Sequence, residues 1–169
     1  MVGHVSVPHR QRRFLRARTI PELLRALAEL TEPVHTLDVF AHGFGGGMTF
    51  GGETLFASDG HGYERVEAFR RLIIRGGHLR LLGCQTALDS SWKEGAVELS
   101  GATLLRDLAQ RLGAGITTWG STVRLSCFHF DAGGLSRHIA RATLVSWRDG
   151  TDRARATKAE REVGIACRV

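Results

Sequence analysis

Apolar positions recur along the chain in two ways, at three- and four-residue spacings and in short unbroken runs, and their alternation predicts the elements. Pro21 precedes Leu23, Leu24, Leu27 and Leu30, which predicts an amphipathic helix from about Pro21 to Leu30, ended by Pro33. Thr36-Leu37-Asp38-Val39-Phe40-Ala41 then reads as a strand leading straight into His42-Gly43-Phe44-Gly45-Gly46-Gly47. Two β-prone runs between Met48 and Phe56 flank Gly51-Gly52 and predict a hairpin beside His42. From Tyr63 to Ile74 the stripe Val66, Phe69, Leu72 and Ile73 predicts a second helix, closed by Gly76-Gly77. Leu79-Arg80-Leu81-Leu82-Gly83 follows as a buried strand whose end delivers Cys84.

Leu88 to Leu99 has no clean period and reads as a loop over that strand end. Leu104, Leu105, Leu108 and Leu112 mark a third helix over Gly101 to Leu112, and Ile116 to Trp119 reads as another buried strand. Thr122 to Phe130 alternates as an extended segment, Asp131-Ala132-Gly133-Gly134 turns the chain, and Ala142 to Trp147 is the last expected strand. His4 to Val7 suits a short first strand, and the chain from Asp149 suits a helix or a loose charged end. Strands alternating with helices long enough to cross over imply an α/β fold. The expectation is a three-layer sandwich with a mainly parallel central sheet.

Composition narrows this to one domain over residues 1–169. A hydrophobic fraction of 43% with 24% charged residues suits a globular core, and no apolar run approaches the roughly 20 residues of a membrane span. The first twenty residues hold five arginines but no apolar stretch after them, so they do not read as a secretory signal, and a cytoplasmic location is expected. The net charge of +6 raises nucleic acid as a partner, but its distribution argues otherwise. Residues 1–20 carry those five arginines and no acid, residues 147–169 carry six basic and four acidic side chains, and the body holds 12 basic against 13 acidic. The excess therefore sits in a basic N-terminal segment (about 8–18) and a charged C-terminal end (about 149–169), where solvated tails explain it better than a groove.

Cys84, Cys127 and Cys167 are an odd number without disulfide or zinc spacing and read as reduced thiols. Cys127-Phe128-His129 is too sparse for a metal site, and neither a metal nor a cofactor is expected. The chemistry rests instead on two strand ends, His42-Gly43 and Gly83-Cys84, 42 residues apart with one crossover helix between them. Right-handed connection rules place such strands as parallel neighbours, so imidazole and thiol face each other at one sheet edge. An imidazole beside a thiol favours the nucleophilic thiolate and can protonate an amine leaving group. Amide N–H groups at a glycine beside the histidine can meet a developing oxyanion.

Phe40-Ala41-His42-Gly43 and Leu81-Leu82-Gly83-Cys84-Gln85-Thr86-Ala87, in that order from about Pro21 to Trp119, resemble the caspase-like cysteine peptidases, a clan that includes metacaspases, clostripain and the bacterial CHAT domains. The resemblance implies a caspase-like fold, His42 and Cys84 as a catalytic dyad, and the N–H groups of Gly43 and Cys84 as the oxyanion hole. It also implies hydrolysis of peptide bonds in a protein or peptide substrate, or in the chain itself. A regulatory protein partner is compatible with it, and the oligomeric state is left open. The caspase signature Gln-Ala-Cys-Arg-Gly is not present. Leu82 stands where arginine- or lysine-specific relatives place an acid, two residues before the cysteine, so basic P1 selection has no support there. Asp89 and Asp131 lie in expected loops near the edge and are the candidate substrate-binding acids, although each also suits a turn.

Three alternatives stand beside this reading. His61, in Asp59-Gly60-His61-Gly62, is a rival histidine, but it follows no apolar strand and suits a loop. His42-Gly43-Phe44-Gly45-Gly46 is similar to the oxyanion loop of lipase-like α/β-hydrolases, whose nucleophile elbow needs glycines where Leu82 and Thr86 stand. A caspase-like binding or scaffold domain without catalysis is the third, and the presence of both His42 and Cys84 argues against it.

Overall fold

The first helix begins where a threonine can cap it. In the computed structural model, which describes residues 15–90, 98–122, 124, 130–131, 134–135, 144–148 and 152–154, Thr19 is extended and its hydroxyl accepts from the Glu22 amide at 3.3 Å. Glu22 accepts in turn from the Arg18 amide at 2.8 Å, so two amides at the helix start are satisfied. Helix α1 (Ile20–Ala28) buries Ile20, Leu23 and Leu27, one stripe at helical spacing. Strand β1 (Val34–Phe40) follows, and the chain then makes a small antiparallel sheet of β2 (His42–Phe44), β3 (Gly47–Phe50) and β4 (Glu53–Ala57). Gly51 and Gly52 form its turn with φ of 61° and 85°, the left-handed pair that matches the twist of a two-residue hairpin. The sequence predicts this hairpin but not its third strand. His42–Phe44 supplies that strand itself, with His42 opposite Thr49.

The next segment differs from expectation. Helical structure is confined to a 3-10 turn over Tyr63–Arg65 and helix α2 (Val66–Arg70), and Ile73 already belongs to strand β5 (Ile73–Leu82). Gly76 and Gly77, expected to close a helix, lie inside β5. The parallel pairing there slips from Val34↔Ile73 to Thr36↔His78. A β-carbon on Gly77 would stand 2.5 Å from the His35 carbonyl oxygen, so this irregularity depends on a close backbone approach across the sheet.

Helix α3 (Gly101–Leu112) matches its predicted span. Ser100 caps it by accepting from the Thr103 amide, and Gly113 at φ 60° ends it. Strand β6 (Thr117–Ser121) comes next, then the short pair β7 (Phe130–Asp131) and β8 (Gly134–Leu135), then β9 (Leu144–Arg148) and β10 (Asp152–Ala154). The main sheet has the order β1-β5-β6-β9-β10. It is parallel through β1, β5 and β6, whereas β9 and β10 are antiparallel. The chain is thus α/β with a mixed sheet, and part of the end expected as helix or tail forms the edge strand β10. The expected strand at His4–Val7, most of the extended segment from Thr122, and Cys127, His129 and Cys167 lie outside the described residues. Among the described residues no helix is long and apolar enough to cross a membrane.

The two faces of the sheet differ. Leu37, Leu79 and Thr118 stand side by side in register, followed by Val39, Leu81 and Gly120. This face meets the helices: Leu79 and Leu81 are fully buried with Leu104, Leu105, Leu108 and Leu112, and the Thr118 hydroxyl donates to the Leu105 carbonyl at 2.7 Å. The other face carries Asp38, Arg80 and Trp119 in register. Arg80 donates to both carboxylate oxygens of Asp38, at 2.6 and 2.5 Å, and Trp119 Nε1 donates to His78 Nδ1 at 3.1 Å. A forked guanidinium-carboxylate pair between neighbouring strands fixes their register as well as their charge.

Candidate active site

Strands β1 and β5 run parallel in register as far as Phe40↔Leu82, so their continuations leave the sheet together. Those continuations are Ala41-His42-Gly43 and Gly83-Cys84. Gly43 presses against the second: a β-carbon there would stand 2.3 Å from the Cys84 carbonyl oxygen and 2.5 Å from its amide nitrogen. Gly83 is closed in as well, though less tightly, since its β-carbon would lie 2.8 Å from the Gly43 nitrogen and 2.9 Å from the Ala41 oxygen. Two glycines meeting backbone to backbone allow what no other residue pair would. This contact brings Gly43 and Cys84 together and places His42 one residue from it. Cys84 is half-buried, and His42 is exposed, with its carbonyl accepting from the Thr49 hydroxyl at 3.4 Å.

The turn after Cys84 is stitched to the sheet by residues that sequence reasoning did not single out. Gln85 has φ 56°, a left-handed conformation that costs a non-glycine residue about 1–2 kcal/mol. Thr86 is fully buried, and its hydroxyl donates to the Leu81 carbonyl at 3.2 Å and accepts from the Ser121 amide at 2.9 Å. The Ala87 amide donates to the Ser121 carbonyl at 2.9 Å, and the Leu88 amide to the Gln85 carbonyl at 2.9 Å. Gly120 makes room, for its β-carbon would stand 2.9 Å from the Thr86 hydroxyl oxygen. The only local signal was a threonine two residues after the cysteine, and its burial depends on β6.

Asp89 is exposed, and its Oδ1 accepts from the Gly101 amide at 3.2 Å, where a carboxylate favours the start of α3. The segment that precedes α3 also ties the two strand-end regions together. The Ser100 amide donates to the Ser58 hydroxyl at 2.9 Å, the Ser58 amide to the Gly46 carbonyl at 2.9 Å, and the Ser90 amide to the Leu99 carbonyl at 2.8 Å. Asp131 lies in β7 opposite Gly134, and its side chain is outside the described residues. His61 is an exposed turn residue after β4, with its amide donating to Asp59 Oδ1 at 3.0 Å and its carbonyl accepting from the Ala57 amide.

Among the described residues no three His, Cys, Asp or Glu side chains converge as a metal set. Burial, helped by the charge of Asp107, pushes the pKa of the Tyr63 hydroxyl up to about 12, while Arg111 stacks over its ring at 4.6 Å and opposes the rise. No family model, curated protein or solved structure matches the chain.

Proposed function

We propose that the chain is a cysteine peptidase of the caspase-like kind, with the three-layer fold and cytoplasmic location that go with that reading, acting through Cys84 and His42. The observation that carries the proposal is the backbone contact of Gly43 with Gly83-Cys84 at the ends of two parallel neighbours. It gives the histidine-bearing and cysteine-bearing segments one shared edge, where open α/β sheets place their chemistry.

In this mechanism the Cys84 thiolate attacks the carbonyl carbon of the scissile bond, forming the C–S bond. The carbonyl oxygen becomes an oxyanion held by the Gly43 and Cys84 amides. As the tetrahedral species collapses, the C–N bond breaks and His42 gives its proton to the departing amine. Water then attacks the thioester, His42 takes the proton from the water, the acid product leaves, and the thiolate is restored.

The test is labelling of the whole protein by an acyl-type covalent peptide probe, with the adduct located by mass spectrometry. Modification of Cys84, abolished in Cys84→Ala and strongly slowed in His42→Ala, is the expected result. An adduct on Cys127 or Cys167 with Cys84 untouched would overturn the assignment. Retained cleavage by a folded Cys84→Ala protein would do the same.

A further inference from the structure

Within that peptidase reading, on which this step rests, we infer that Thr86 is a positioning residue for Cys84, holding the turn that aims the thiol and its own amide. A hydroxyl has one proton to give and lone pairs to receive, and Thr86 spends both on backbone, the Leu81 carbonyl of β5 and the Ser121 amide of β6. The turn is thereby anchored to its own strand and to the neighbouring one. The Ala87 amide bonded to the Ser121 carbonyl completes a two-point tie, and Gly120 leaves the hydroxyl its space.

Cys84 sits between two constraints. On one side Gly83 is wedged against Ala41 and Gly43; on the other Gln85 holds a left-handed backbone that an isolated chain would relax. The tie through Thr86, one residue beyond Gln85, keeps that conformation. Releasing it lets Gln85 return to the ordinary region and the Cys84–Gln85 peptide plane rotate; with Gly83 held in place, the compensating rotation about the Cys84 N–Cα bond turns the thiol relative to its own amide. Atoms within Cys84 then lose their direction. A purely packing role for Thr86 would need its volume, not its hydroxyl.

The experiment compares Thr86→Val, which keeps the shape, with Thr86→Ser, which keeps the hydroxyl. Each full-length variant is reacted with two agents at Cys84: a peptide aldehyde, whose addition generates an oxyanion, and iodoacetamide, which alkylates without one. Misaimed donors slow the first reaction and not the second, so Thr86→Val should lower the aldehyde-to-iodoacetamide rate ratio about tenfold or more. Thr86→Ser should restore most of that ratio even if its melting temperature is the lower of the two. If Thr86→Val does not fold, Thr86→Ala set against Thr86→Ser makes the same comparison, since those two differ only in the hydroxyl, and the same drop in ratio is expected for the alanine variant.

A folded Thr86→Val protein with the wild-type ratio would overturn the positioning role. Thr86→Ser no better than Thr86→Val would overturn it as well. Wild-type Cys84 that takes iodoacetamide but is inert to the aldehyde would overturn the peptidase reading itself, which separates the two failures.

Discussion

Replacing Gly43 by alanine isolates the contact on which the site depends. Its β-carbon would stand 2.3 Å from the Cys84 carbonyl oxygen, 2.5 Å from the Cys84 nitrogen and 2.6 Å from the Gly83 carbonyl carbon, whereas ordinary contact begins at 3.4 Å. All three obstacles are backbone, so no side chain can swing aside and the two strand ends must part by about 1 Å. Overpacking of this kind costs about 1–3 kcal/mol, and the rigid partners place it in the upper half of that range. For a chain of this size such a loss lowers the melting temperature by about 4–12 °C. Gly43 does not have a left-handed φ, so the penalty acts through space alone. Gly52→Ala is the control: at φ 85° with nothing within 4 Å it meets strain without collision. Its cost is about 1–2 kcal/mol, offset by about 0.4–1 kcal/mol from the stiffer unfolded chain. Thermal unfolding, read beside the rate at which Cys84 takes a peptide probe, measures both consequences. Gly43→Ala should lose stability and labelling together, and Gly52→Ala a little stability only. If Gly43→Ala is no less stable than Gly52→Ala and labels at the wild-type rate, the strand ends do not touch and the shared edge is wrong.

Tyr63 is the one tyrosine in the chain, so its near-ultraviolet titration has a single source and should show a midpoint of about 12. Because the folded state holds this proton more tightly than the unfolded chain, the linked stability is complete below pH 10, the ordinary tyrosine value. It is lost as pH rises toward about 12; a midpoint at 10 in still-folded protein would contradict the burial. The Tyr63 hydroxyl has no hydrogen-bond partner among the described residues, so Tyr63→Phe should be neutral or stabilising in urea unfolding, and a marked loss would reveal a missing partner. A double-mutant cycle on Asp38→Asn and Arg80→Met should give a coupling of about 1–2 kcal/mol, between the values for exposed pairs and for buried charged hydrogen bonds. Zero coupling would show that the fork does not hold β1 to β5.

The parts of this fold that sequence made visible are those set by local periodicity and punctuation. Helix α3 has a serine cap, a leucine stripe and a closing glycine within fourteen consecutive residues, 100–113, and its span was legible to the residue. The boundary between α2 and β5 was not, because Leu72 and Ile73 extend the apolar stripe of the helix while Ile73 begins the strand. Glycines at 76 and 77 serve equally as a helix stop or a strand irregularity, and the His35 carbonyl that decides between them comes from another strand. The site divides the same way. His42 and Cys84 stood out because each ends an apolar run, and a polar residue at that point has no packing reason to be there. Thr86 did not stand out, since its value lies in an amide 35 residues away. The third strand of the small sheet was hidden because glycine-rich sequence reads as loop, although β3 pairs with it residue by residue.

Charge on β5 bears on what the proposed enzyme would select. Leu82 is fully buried at the position where a basic-specific site would carry an acid, and a carboxylate there would be desolvated without a partner. Arg80, two residues earlier and on the same face by strand alternation, is already committed to Asp38. Leu82 is closed to a charged P1 side chain and Arg80 is already paired, so in the proposed enzyme a basic preference would come from residues beyond the strand ends. Asp89 lies there, joined by Leu88 to the turn that Thr86 anchors, and its Oδ1 is engaged by the Gly101 amide. A basic side chain would therefore approach Oδ2, and doing so would compete with the capping of α3 for the same charge. That competition ties any basic preference to the start of α3, where the Ser100 and Gly101 amides link the hairpin after His42 to the loop after Cys84.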